Sequence, residues 1–102
     1  MIMEYKQLVT HMKETNIEVK KVFDDLLLRY SGKPEIIDLS FEDENYAHQY
    51  AMLLLVKAME ELTNYIIKHE NISKSLLNHT YDIYENIYNC FYLNIESSNN
   101  YL

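Results

Sequence analysis

Three pairs of metal-ligand side chains occur at spacings that place both members on one face of a helix. The pairs are His11 with Glu14, Glu44 with His48, and His79 with Asp82. An imidazole and a carboxylate arranged in this way hold a metal ion only when ligands from several helices converge. No glutamate has a histidine three residues after it, so the di-iron bundle motif is absent. We interpret the pairs as solvent-facing polar residues and predict neither metal nor cofactor.

The sequence also lacks the residue spacings that other catalytic motifs require. Arg29 is the only arginine, and no histidine follows it within six residues, which excludes an arginine–histidine nuclease site. The adjacent acids Asp24-Asp25 and Glu60-Glu61 point about 100° apart on a helix, so neither forms a close carboxylate dyad. Ser31-Gly32-Lys33 lacks the upstream glycine of a phosphate-binding loop. Cys90, the only cysteine, has no evident activating base, so we expect a packed, unreactive thiol. With each of these catalytic motifs eliminated, we predict that the protein is not an enzyme.

Three long helices are predicted to carry these residues. Apolar side chains recur three and four positions apart over about residues 3–30, 40–68 and 73–93 or 73–95. Thr15-Asn16 is a weak helix former where the first helix is expected to bend or fray. Gly32 and Pro34 end that helix, and Ser40 begins the second as an N-cap. We predict an all-α antiparallel bundle of three helices.

Domain limits follow from the same pattern. The bundle is predicted to form one domain over residues 1–96, with a flexible C-terminal tail at 97–102. A short irregular connector is expected at residues 31–40, where strand, turn and helix all remain open for 35–40. In the second helix, residues 51–56 are apolar around the whole circumference and call for cover on several sides. We predict a homodimer, with an interface formed by Met52, Leu53, Leu55 and Val56.

Charge and hydropathy narrow the class of partner. Nine basic against sixteen acidic residues give the 102-residue chain a net charge of -7. Nucleic acids and anionic membranes attract clustered lysine and arginine, which this chain lacks, so neither is an expected partner. The N-terminus has no signal-peptide pattern and the longest apolar run has only six residues, which predicts a cytoplasmic protein. The abundance of Asn, Ile, Tyr and Lys is typical of a low-GC bacterium, phage or plasmid.

Tyrosine is the least ordinary component, with ten residues and no tryptophan. Tyrosine combines a rigid apolar body with a polar tip, which suits protein recognition as well as the edge of a core. A partner with a basic surface would meet the tyrosines as anchors and the acids as steering charges. The predicted binding residues are Tyr81, Tyr84, Tyr88, Tyr92, Glu42, Asp43, Glu44, Glu60 and Glu61.

The sequence therefore predicts a non-catalytic protein-binding module that occupies a partner's surface. In size, acidity and helicity it resembles small immunity proteins, antitoxins and phage-encoded inhibitors, a likeness of composition that carries over no residues. One alternative is a self-associating structural protein. Another is a metal-dependent bundle enzyme, whose candidate ligands are His11, Glu14, His48, His79 and Asp82.

Overall fold

The computed structural model describes residues 4–31 and 44–99, with side chains described for 4–28 and 49–96. Three helices follow one another: α1 (Tyr5–Ser31), α2 (Glu44–Lys68) and α3 (Lys74–Asn99). They form an elongated bundle of 44 × 19 × 18 Å. Within the described ranges there is no strand, and the all-α prediction is confirmed.

Each helix turns one stripe of apolar residues, spaced three and four apart, toward a common core. α2 lies closest to both of its neighbours, and α3 packs against it across a short turn at residues 69–73. The Tyr5 hydroxyl shares its one proton between the carbonyl oxygens of Ile66 (3.0 Å) and Ile67 (3.1 Å), which places the start of α1 beside the end of α2. α1 and α3 consequently run in the same direction. The buried apolar residues are Leu8, Met12, Val19, Phe23, Leu26, Leu27, Met52, Val56, Met59, Ile66, Leu77, Tyr84 and Phe91.

Helix boundaries differ from the sequence pattern in two places. α1 is continuous through Thr15-Asn16, so the predicted weak point is wrong. α3 extends to Asn99, beyond the expected end at 93 or 95 and into the segment expected to be a tail. Ser73 caps α3 by accepting a hydrogen bond from the amide of Leu76 at 3.2 Å. The connector from Gly32 onward, with the unresolved choice at 35–40, and the predicted start of α2 at Ser40 lie outside the described residues.

The predicted oligomer interface is wrong at two of its four residues. Met52 is fully buried and Val56 is 6% exposed inside the protomer's own core, because both lie on the stripe of α2 that faces the other helices. Leu53 and Leu55 are half-buried against that core. Within residues 51–56, Leu54 has the most exposed side chain, at 50%. In the described part of the chain, no helix is long and apolar enough to cross a membrane.

Candidate partner-binding face between α1 and α3

A buried polar network joins all three helices. The Tyr84 hydroxyl of α3 lies within hydrogen-bond distance of the Met12 carbonyl oxygen (3.1 Å) and of Asn16 Oδ1, and shares its one proton between them. Asn16 Nδ2 donates to Thr63 Oγ1 of α2 at 2.8 Å, and Thr63 donates onward to the Met59 carbonyl oxygen at 2.7 Å. Each of these side chains has a hydrogen-bond partner on another helix, which offsets the cost of burying its polar atoms.

This network corrects the prediction for Tyr84. Its side chain is fully buried, so it cannot contact a partner in the folded chain. Burial raises the pKa of the Tyr84 phenol far above its ordinary value of 10.0; the nearby Glu85 charge raises it further, and the Thr63 hydroxyl acts in the opposite direction. The phenol therefore remains a neutral donor over the ordinary pH range. Sequence reasoning treated Asn16 as a helix weakness, although it is the hydrogen-bonding centre of the bundle.

The other three predicted tyrosines line the seam between α1 and α3. Tyr81, Tyr88 and Tyr92 are each half-buried, with their rings packed against the core. The rings of Tyr88 and Tyr92 lie 4.9 Å apart between centroids and are tilted by 59°. The Tyr92 hydroxyl makes a long hydrogen bond of 3.4 Å to Glu18 Oε1 on α1. Burial raises the pKa of Tyr92, and the Glu18 charge adds to the effect, so this phenol also stays neutral.

A histidine–glutamate pair joins α1 and α3 two helical turns before the Tyr92–Glu18 contact. His11 Nε2 on α1 lies 2.7 Å from Glu85 Oε1 on α3, and both side chains are about one-third exposed. The His11 ring also packs against Tyr81 at 5.8 Å and against Tyr84 at 6.1 Å between centroids. The contact is an ion pair when the imidazole is protonated and a neutral hydrogen bond when it is not. It thereby holds both the seam and the Tyr81 ring in place.

Carboxylates dominate the two flanks that border the seam. On α1, further acids lie at helical spacings that put them on the same flank as His11 and Glu18. On α3, a further acid shares the flank of Glu85 and Tyr92 in the same way. Lys74, 3.9 Å from Glu4, and Lys21 are the cations on these flanks within the described side chains. The carboxylates of the two flanks are Glu4, Glu14, Glu18, Asp25, Glu85 and Glu96. We call the group formed by Tyr81, Tyr88, Tyr92, Glu18 and Glu85 the acidic tyrosine face.

The acids predicted for this face lie elsewhere. Glu60 and Glu61 are exposed on α2, which does not border the seam. Glu42 and Asp43 fall outside the described residues, as does the side chain of Glu44. Helical spacing on α3 was enough to place Glu85 beside the tyrosines in the sequence. Glu18 was missed, because the pairing of α1 with α3 needed the structure.

Among the side chains that the structure describes, the candidate metal ligands are not brought together. Among the described residues, no group of three or more histidine, cysteine or acidic side chains is arranged to hold a metal ion. His11 pairs with Glu85 instead of Glu14, His79 and Asp82 are both exposed on α3, and the side chain of His48 is not described. The expectation of a packed thiol at residue 90 is wrong, because Cys90 is exposed.

Comparison with known proteins adds no functional information. No family model matches the chain, and no curated protein or solved structure is similar to it.

Proposed function

We propose that the chain is a non-catalytic protein-binding module, a small acidic inhibitor or regulator that acts by covering part of a partner protein. The observation that carries the proposal is the acidic tyrosine face, in which three partly exposed aromatic rings lie between carboxylates of two helices. Tyrosine supplies contact area at a small cost in conformational entropy. Here the cost is smaller still, because ring packing and the Glu18 contact already restrict the side chains.

The electrostatics of the face favour a basic partner surface. The whole chain carries a net charge of -7, and the flanks of the seam hold more acids than lysines. Complementary charge accelerates encounter, while the buried part of the contact determines how slowly the complex dissociates. Since exposed charges are screened within about 8 Å at physiological ionic strength, affinity for a basic partner should fall as salt is added.

The experiment is affinity purification from the organism that encodes the chain, with quantitative mass spectrometry of captured proteins. The test variant is the double substitution Tyr88→Ser and Tyr92→Ser, and the matched control is Glu60→Gln with Glu61→Gln. The proposal expects a stoichiometric partner that the wild type and the control retain and that the tyrosine variant loses at least about tenfold, the effect of one truncated anchor. Equal capture by both variants, or capture that rises with salt, would contradict it.

A further inference from the structure

α2 carries a second apolar stripe beside the one that faces the core. Its members follow one another at spacings of four and three, as helical neighbours on one face do. They are Ala51, Leu55, Ala58, Leu62 and Tyr65. The core stripe is buried, whereas every member of this second stripe keeps part of its surface accessible, and Tyr65 is 46% exposed. Leu54, next to the stripe, is 50% exposed. α2 therefore presents more apolar surface than its own bundle covers.

α3 carries a matching stripe on the flank that faces α2. Its members are Leu76, Thr80, Ile83, Ile87 and Cys90, again at spacings of four and three. Leu76 is 44% exposed and Ile83 is 40% exposed. Tyr65 and Leu76 line one cleft beside the turn. Farther along, Leu55 and Leu62 of α2 and Ile87 of α3 pack against the same core, so the stripes lie side by side on two neighbouring helices. We call the surface formed by the two stripes the uncharged groove.

The uncharged groove lies on the side of the bundle away from α1. α1 reaches α3 through Glu85 and Tyr92, which lie on the opposite flank of α3 from Ile83. The groove and the acidic tyrosine face are therefore separate surfaces. An occupant of one leaves the other free.

The composition of the groove indicates its occupant. Charged residues make up 25% of the chain, yet neither stripe contains an aspartate, glutamate, lysine or arginine. Charges return at the turn, with Lys68 and Glu70. A surface without charge gives no steering to a charged partner and is best covered by another uncharged apolar surface. The same groove on a second copy has this chemistry, and for a chain of net charge -7 it is the face on which two copies approach at the lowest electrostatic cost.

The size of the groove fits a weak dimer. The α2 stripe spans fifteen residues, about 22 Å of helix, and two adjacent helices are about 20 Å wide. Two such faces bury at most roughly 900 Å² in total, below the range of stable, specific interfaces and within that of weak or transient ones. We propose that the uncharged groove pairs with the same groove of a second copy about a two-fold axis, bringing α2 and α3 of both copies into a four-helix contact. This proposal does not rest on the partner-binding function.

Sedimentation velocity over a wide range of protein concentration tests the dimer. The test variants are Ile83→Glu and Ile83→Lys, and the control is Ile17→Glu on α1, where the side chain is 72% exposed. Both test variants place a charge in the groove and should weaken the dimer at least about tenfold, because the charge loses its water on association. The control adds the same charge as Ile83→Glu at a distant site and should dimerise like the wild type.

Comparing a negative and a positive charge at residue 83 distinguishes loss of the groove contact from a change in the net charge of the molecule. Repulsion between whole molecules would let Ile83→Lys dimerise better than the wild type, and that result would overturn the proposal. A wild type that stays monomeric at all concentrations, or that is dissociated equally by Ile17→Glu, would also overturn it. Helix content measured by circular dichroism shows that each variant is folded. Added salt should leave the wild-type dimer unchanged or strengthen it, in contrast to binding of a basic partner.

Discussion

Replacing Tyr84 with phenylalanine tests whether the buried network holds the three helices together. The substitution keeps the ring that fills the core and removes the hydroxyl that reaches Asn16 and Met12. The Met12 carbonyl keeps its bond within α1, but Asn16 Oδ1 loses a donor in a partly buried site. A lost hydrogen bond with one partner left unsatisfied costs about 1–2 kcal/mol. For a domain of this size, that lowers Tm by about 4–16 °C.

The same residue makes a prediction about alkaline pH. Because the folded chain raises the pKa of Tyr84 above the unfolded value of 10.0, the stability it contributes is complete below pH 10 and is lost as pH rises toward the raised value. Ionisation of the unfolded phenol removes about 1.4 kcal/mol between pH 9 and pH 11. The stability difference between wild type and Tyr84→Phe should therefore shrink to near zero by about pH 11.

Urea unfolding at pH 8 and pH 11, followed by circular dichroism, measures both effects. The control is Tyr81→Phe, which removes a hydroxyl from the same helix; that hydroxyl makes no hydrogen bond to any residue the structure describes. The control should stay within about 0.5 kcal/mol of the wild type at pH 8. If Tyr84→Phe is no less stable than Tyr81→Phe, or if its deficit is the same at both pH values, the network does not have the role given to it here.

Two further substitutions probe the core and a helix end. Phe91 is fully buried and meets Phe23 edge-to-face at 6.5 Å, so Phe91→Ala should cost about 3–5 kcal/mol of stability, measured by urea unfolding. Measured stability within 1 kcal/mol of the wild type would contradict the burial of this ring. Ser73→Ala removes the acceptor for the Leu76 amide and should cost about 1 kcal/mol in urea unfolding, whereas Ser73→Asp should retain the cap. Equal loss in both Ser73 variants would exclude capping as the cause.

Helical periodicity was sufficient to predict the three helices and the inward stripe of α1. The stripe through Leu8, Met12 and Val19 repeats at three and four residues, and the structure buries all three. Periodicity defines each inward face because burial is common to every packing of the same helices. It does not define which neighbour lies on which flank. The continuity of α1 at Asn16 also depends on a tertiary contact, the hydrogen bond to Thr63, that overrides local propensity.

The candidate site was predicted less well, for the same reason. Tyr81, Tyr84, Tyr88 and Tyr92 follow one another on α3, and the sequence treated them as one surface. About 80° around the helix axis separates the fully buried Tyr84 from the partly exposed Tyr92. Composition could not assign Met52 to the core and Leu54 to the surface within one apolar run, since both are equally hydrophobic.

The flanking contacts of α1 and α3 choose the handedness of the bundle. Three helices joined in this order can turn clockwise or anticlockwise, and the inward stripes are buried in either arrangement. In the opposite hand, Glu85 and Tyr92 would face α2, leaving His11 and Glu18 without these partners, and Ile83 would face α1. These interhelical pairs therefore favour the observed hand, which burial of the inward stripes alone does not select.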